Sequence, residues 1–112
     1  MQLPQEGTLL RVFIGEADKH EGKPLYEWIV LKAREQGLAG ATVLRGIMGF
    51  GANTRQIHTF RFDTLSEDLP VIVEVVDTSE KLDTFLELIQ PHIKAGLVTL
   101  EKAQVRFYRF ER

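Results

Sequence analysis

Four of the nine glycines fall between Gly40 and Gly51, in the segment GATVLRGIMGFGANTR. Arg45, Arg55 and Arg61 run through this region with His58, and no acidic residue interrupts Arg45 to Arg61. Backbone N–H groups bared by glycine can line an anion-binding concavity. Guanidinium groups grip phosphate or carboxylate oxygens, often two bonds at a time. This combination suits recognition of a small anion, with Gly46, Gly49, Phe50 and Gly51 shaping the backbone and Arg45 and Arg55 supplying charge. It is not a P-loop, because no Gly-Lys-Ser/Thr follows, and not a dinucleotide fingerprint, because no helix is expected to open after it. Plain turns, with a bulge at Gly46, account for the same glycines without any ligand.

Charge is unevenly spread. Asp63 to Glu87 holds eight acids and one lysine, Lys81, whereas Lys102, Arg106, Arg109 and Arg112 cluster near the C-terminus. A basic loop beside an acidic half attracts anions locally while the net charge stays at −2. That balance argues against a protein that coats nucleic acid through bulk charge. Phe107, Tyr108 and Phe110 lack the glycine–aromatic run of an RNA-stacking platform, so no nucleic-acid partner is expected. His20, His58 and His92 lie far apart in the chain, and neither HExxH nor a nucleophile elbow occurs. With no cysteine there is no thiolate metal site, disulfide or cysteine nucleophile.

The elements that must position these residues follow from periodicity. At 112 residues, 44% of them hydrophobic, the chain suits one globular domain over residues 1–112. No apolar run is long enough to span a membrane, and the first residues lack the pattern of a secretory signal, so the expected location is the cytoplasm. Thr8–Gly15 reads as a strand; Leu25, Trp28, Ile29 and Ala33 recur at helical spacing between Pro24 and Gly37. Ala41–Ile47 reads as a second strand, Gly49–Thr64 as a long loop or ragged hairpin, and Pro70–Val76 as the clearest strand. A second helix follows the capping residues Asp77, Thr78 and Ser79, with Leu82, Phe85, Leu86, Ile89 and Ile93 on one stripe until Pro91 ends or kinks it. Gln104–Phe110 is expected as the last strand, on a sheet edge.

This order is the β-α-β-β-α-β arrangement of ferredoxin-like α+β folds: a four-stranded antiparallel sheet with two helices on one face. Both faces of the first and third strands are apolar, so the uncovered face calls for a partner surface, and self-association is expected. Arg11 and Glu74 are the isolated charges of those strands; they either pair across adjacent strands or face water.

Three stretches resemble an uncharacterised prokaryotic family regarded as PII-like, related to the nitrogen-regulatory PII signal-transduction proteins. They are Ile14–Glu27, Gly37–Gly51 (GLAGATVLRGIMGFG) and Leu65–Asp77 (LSEDLPVIVEVVD). The resemblance implies a homotrimer, an effector loop after the second strand, and adenine nucleotides held in clefts between subunits. Gly40, Thr42 and Val43 match the Gly-x-Thr-Val of PII proteins, and Gly49, Phe50 and Gly51 match their Gly-Phe-Gly, with one extra residue between. Gly96 and the later arginines Arg106 and Arg109 loosely resemble the phosphate-gripping end of PII. The chain departs from PII in having Ala52, Asn53, Thr54 and Arg55 in place of Arg-Gln-Lys-Gly, and Leu97 in place of a lysine after Gly96. A changed phosphate grip is therefore implied.

The sequence thus points to a non-enzymatic signalling protein. Gly40, Thr42, Arg45, Gly46, Gly49, Phe50, Gly51, Arg55, Arg106 and Arg109 are its candidate ligand-binding residues, with no metal ligands and no required cofactor. AMP, ADP or ATP is the candidate effector. A flexible loop of about residues 51–64 would contact a regulated protein, for instance a membrane transporter or channel, without insertion into the bilayer. Two other readings stand beside it: a metal-binding or enzymatic ferredoxin-like trimer using His58 with carboxylates, and an interaction module without a small ligand.

Overall fold

The computed structural model describes residues 6–52, 54–59 and 68–110. Strand β1 (Glu6–Gly15) leads through a tight hairpin turn to helix α1 (Leu25–Glu35). Strands β2 (Thr42–Arg45) and β3 (Pro70–Asp77), helix α2 (Ser79–Ile89) and strand β4 (Leu97–Gln104) complete the order. The four strands form one antiparallel sheet in the order β2-β3-β1-β4. This is the ferredoxin-like arrangement expected from the order of the elements.

Alternation divides the sheet into two faces. Leu10, Val12 and Ile14 of β1, with Val71, Val73 and Val75 of β3, are buried against Leu25, Ile29 and Ala33 of α1 and Leu82, Phe85 and Ile89 of α2. Both helices therefore cover one face. Leu9, Arg11 and Phe13 point the other way, level with Val76, Glu74 and Ile72. These side chains are only partly buried in the chain. Leu44 and Leu97 extend the same apolar face to the two outer strands, and both are exposed.

The helix boundaries have local causes. Pro24 stands immediately before α1 rather than inside it. At the other end Gly37 takes φ +72°, the Gly37 N–H donates to the Arg34 carbonyl at 3.1 Å, and the Leu38 N–H donates to Ala33 at 3.0 Å. That double bond pattern closes the helix and turns the chain. Thr78 caps α2, its hydroxyl accepting the Lys81 N–H at 3.2 Å. Pro91 ends that helix, which finishes in a short 3₁₀ turn at Gln90–His92.

Two expectations are corrected. The last strand is Leu97–Gln104, not Gln104–Phe110. A continuous register from Glu6↔Gln104 to Phe13↔Leu97 binds it to β1. Gly96 lets the chain enter this strand, since a Cβ there would stand 2.6 Å from the Phe13 carbonyl oxygen. The aromatic-rich stretch at 105–110 lies beyond the end of β4, outside the sheet. The second strand is also shorter than expected, ending at Arg45, and its pairing shows no bulge. Gly46 instead donates its N–H to the Pro70 carbonyl at 2.7 Å. A Cβ there would meet the Pro70 ring at 2.8 Å, so close approach is the reason glycine is required.

Candidate functional site

The loop between α1 and β2 is held by side chains from elsewhere in the chain, which bond its peptide groups. Asp77, 1% exposed at the end of β3, accepts the Ala39 N–H at 2.9 Å and the Thr78 N–H at 2.7 Å. Lys81 lies 3.6 Å from the same carboxylate and donates to the Gly37 carbonyl at 2.8 Å. From the opposite side, the Tyr108 hydroxyl donates to the Ala39 carbonyl at 2.7 Å. Gly40 and Thr42 lie just beyond, on the rim of a cavity of about 640 Å³. Leu9, Val76 and Ala103 form its floor, and Val105 to Tyr108 close one side. Arg106 belongs to this lining, and Arg109 stacks on Phe107 with its guanidinium carbon 4.3 Å from the ring centre.

The glycine-rich residues lie at the other end of the sheet. Met48–Gly49 pairs with His58–Thr59 in a two-residue ladder, and the Gly51 N–H donates to the Thr54 carbonyl at 2.8 Å. Gly49, Phe50 and Gly51 line a second cavity of about 150 Å³ with Phe13, Pro70 and Leu97. Arg55 stacks on Phe50 at 4.6 Å. Arg45 is paired with Glu16 at 3.1 Å, so its charge already has a carboxylate partner. Arg61, Asn53 and Arg112 lie outside the described residues, as does most of the loop after Thr59.

Within the chain the sequence-derived residues therefore form two groups rather than one. Gly40, Thr42, Arg106 and Arg109 gather near Leu9; Arg45, Gly46, Gly49, Phe50, Gly51 and Arg55 gather near Gly15 and Pro70. Along β1 the two cavities are spaced by the run from Leu9 to Gly15, about 20 Å at 3.3 Å per residue, while on β2 Thr42 and Arg45 stand three residues, about 10 Å, apart.

An ion triad lies on the uncovered sheet face, its Glu74 opposite Thr42 and in the lining of the first cavity. The Arg11 Nε donates to Glu74 at 2.9 Å, and its terminal nitrogen donates to Glu101. These bonds, that to Glu74 foremost, raise the Arg11 pKa above its already high ordinary value. Arg11 and Glu74 thus pair across adjacent strands, the first of the two readings their positions allowed.

Sequence reasoning missed three features here. Asp77 has the character of a helix cap, yet its carboxylate also reaches back 38 residues to Ala39. Tyr108 has strand propensity, yet it ties the chain end to the α1–β2 loop. The histidines far apart in sequence are also partly reunited: the rings of His20 and His92 lie 4.5 Å apart, and both rest on Trp28 at 4.3 and 4.9 Å. Only long-range folding makes these contacts, so no local pattern marks them. Among the described residues no group of three or more His, Asp or Glu side chains converges as a metal site.

A family model for DUF190, described as Uncharacterized ACR, COG1993, matches residues 7–105. The chain belongs to the DUF190 family. Its curated relatives include a UPF0166 protein of Aquifex aeolicus, 44% identical over 97 residues, covering 87% of this chain and 90% of the relative. Another, from Methanocaldococcus jannaschii, is 36% identical over 101 residues, covering 89% and 92%. Among solved structures, the fold resembles CPII of Thiomonas intermedia K12, a nitrogen-regulatory PII-like protein solved bound to ADP, AMP and bicarbonate. The TM-score is 0.66 at 19% identity, over 89% of this chain and 88% of that one. The apo form of the same protein matches with a TM-score of 0.60 at 20% identity, over 89% and 91%. This DUF190 chain therefore has the PII-like ferredoxin fold, and the resemblance in its sequence is matched by the architecture.

Proposed function

We propose that this DUF190 protein is a PII-like regulator that binds an adenine nucleotide between protomers and reports it through the loop of about residues 51–64. The observation that carries this reading is the division of the ligand-type residues between two cavities on one protomer, Gly40, Thr42 and Arg106 in one and Gly49, Phe50 and Gly51 in the other. A small ligand meets both groups only if a second copy brings its glycine-rich end against the cavity of the first. The partly bare apolar face of Leu9, Phe13, Ile72 and Val76 supplies a surface for that assembly. The CPII structures, with ADP and AMP bound, provide the precedent on the same fold.

In this arrangement the base enters the cavity beside Gly40 and Thr42, whose walls are mostly apolar. Glu74 lies in that lining and disfavours a phosphate there, whereas Arg55 and the chain-end arginines offer cationic groups for the phosphates. Arg45, paired with Glu16, contributes only if that pair opens. The protein acts by binding and partner contact rather than by turnover.

The test is a thermal-shift series with AMP, ADP and ATP, paired with light scattering. Ligand at a hundredfold its dissociation constant adds about 2.7 kcal/mol. For a domain of this size that is on the order of 10 °C. A shift with adenine nucleotides in a trimer supports the reading. A monomer at micromolar concentration removes the shared cleft, and a shift with divalent metals alone supports a metal-dependent role instead.

A further inference from the structure

The loop that runs from α1 through Gly40 and Ala41 is held at its centre by both polar backbone atoms of one residue. The Ala39 N–H is bonded to Asp77, and the Ala39 carbonyl to Tyr108. These two anchors differ in kind. Asp77 is buried and belongs to the sheet, so it is part of the fixed frame. Tyr108 is half-buried and belongs to the segment that leaves β4 after Gln104 and closes one side of the cavity. Beside it Phe107 is 68% exposed, with Arg109 stacked on its ring.

A trans peptide points its C=O and the next N–H in opposite directions. Anchoring the Ala39 carbonyl on Tyr108 therefore also sets the direction of the Gly40 N–H, a backbone donor on the cavity rim. One hydroxyl thus fixes the width of the cavity between loop and chain end, together with the orientation of the peptide before Gly40.

We infer that Tyr108 is a positioning residue for the base of a purine mononucleotide, acting through the Ala39 carbonyl. The inference rests on the nucleotide reading above and deepens it. Leu9, Ala41, Val76 and Phe107 offer apolar surface for a flat ring, and Thr42 offers a hydroxyl for its edge. The tyrosine bond holds those walls at one spacing before ligand arrives, so the ordering cost of binding is reduced.

The experiment compares wild type with Tyr108→Phe, which deletes the hydroxyl and keeps the ring. AMP and GMP binding is measured by calorimetry, and amide hydrogen exchange is followed at residues 39–42 in the ligand-free protein. Expected are AMP affinity about fivefold weaker, from loss of one neutral hydrogen bond, a similar loss for any GMP binding, and faster exchange at residues 39–42. Unchanged AMP affinity overturns the inference, even where exchange accelerates, because Tyr108 is then only a structural contact. Should wild type bind neither nucleotide, the nucleotide reading itself fails. Exchange then decides the remainder: equal rates in the two proteins overturn the Tyr108 anchor as well.

Discussion

Asp77 and Ala39 are joined by a 2.9 Å hydrogen bond from the loop N–H to a carboxylate that is 1% exposed. The same carboxylate holds the Thr78 N–H at the α2 cap and lies beside Lys81, so one side chain ties together β3, α2 and the loop after α1. Asp77→Ala strands both amide donors and is expected to cost about 2–3 kcal/mol. The melting temperature should fall by on the order of 10 °C. Asp77→Asn keeps one acceptor oxygen but turns an NH₂ toward the second donor, so its loss should lie between the two. Urea denaturation of the three proteins gives the ranking, and an Asn variant as stable as wild type would contradict it.

Gly96 and Gly51 should respond differently to alanine. A Cβ on Gly96 would meet the Phe13 carbonyl at 2.6 Å, a backbone atom that cannot swing aside. Gly96→Ala is expected to cost about 1–3 kcal/mol through strain at the start of β4. Among the described residues, its chain neighbours aside, no heavy atom lies within 4 Å of a Cβ built on Gly51. Gly51→Ala should leave the melting temperature unchanged within about 1 °C, or raise it slightly. Any loss of AMP affinity in that variant then reports the ligand's approach to the backbone rather than damage to the fold.

Arg55→Ala and Arg109→Ala should weaken nucleotide binding while folding stays intact. Each guanidinium stacks on an exposed ring, Phe50 or Phe107, and such surface pairs are worth only about 0.5–1 kcal/mol. Loss of a charge-assisted bond to phosphate is larger, about 1.5–3 kcal/mol, or roughly tenfold to a hundredfold in affinity. Calorimetry with ADP measures the difference. Affinity equal to wild type in both variants would place the phosphates elsewhere.

Arg11 offers a test of the bare sheet face. On a solvent-facing protomer, surface ion pairs of the kind Arg11 makes with Glu74 and Glu101 add little to stability. In an assembly that covers the face, Arg11→Ala leaves two carboxylates without their cation in a water-poor interface, and the loss becomes large. Light scattering of the variant should then show smaller species. A Tm decrease under about 3 °C with unchanged mass would mean that the face stays open to water.

The same triad fixes the sign of a pH effect. Arg11 has its pKa raised by its carboxylate partners, chiefly Glu74. A group raised in the folded state contributes stability that is fully present below its unfolded pKa and lost only as pH climbs through the folded value. That window lies far above the neutral range. Arg11 should therefore add no slope to stability across the neutral range, as a denaturation series from mildly acidic to mildly alkaline buffer would show.

Much of the scaffold was legible from local chemistry. The alternation in β1 and β3, the 3.6-residue stripes of the two helices, Gly37 after α1 and Thr78 before α2 each express a preference of the residue itself. The β-α-β-β-α-β order came from them, and the pairing of Arg11 with Glu74 was one of two readings open to charges standing alone in apolar strands. The position of β4 was not legible. Aromatic residues at 107–110 have strand propensity, but strand pairing depends on which segment can approach β1, and Gly96 makes that segment Leu97–Gln104.

The candidate site divides in the same way. Its residue types were readable in sequence, because glycine backbones and arginine side chains have the same affinities wherever they lie. Their grouping belongs to tertiary structure alone. The fold places Thr42 and Gly51 in different cavities, pairs Arg45 with Glu16, and brings Asp77 and Tyr108 onto the two sides of Ala39. Contacts across 38 and 69 residues are set by the summed packing of every element between them. Local residue chemistry therefore sets what this protein can offer a ligand, and long-range packing sets which groups can offer it together.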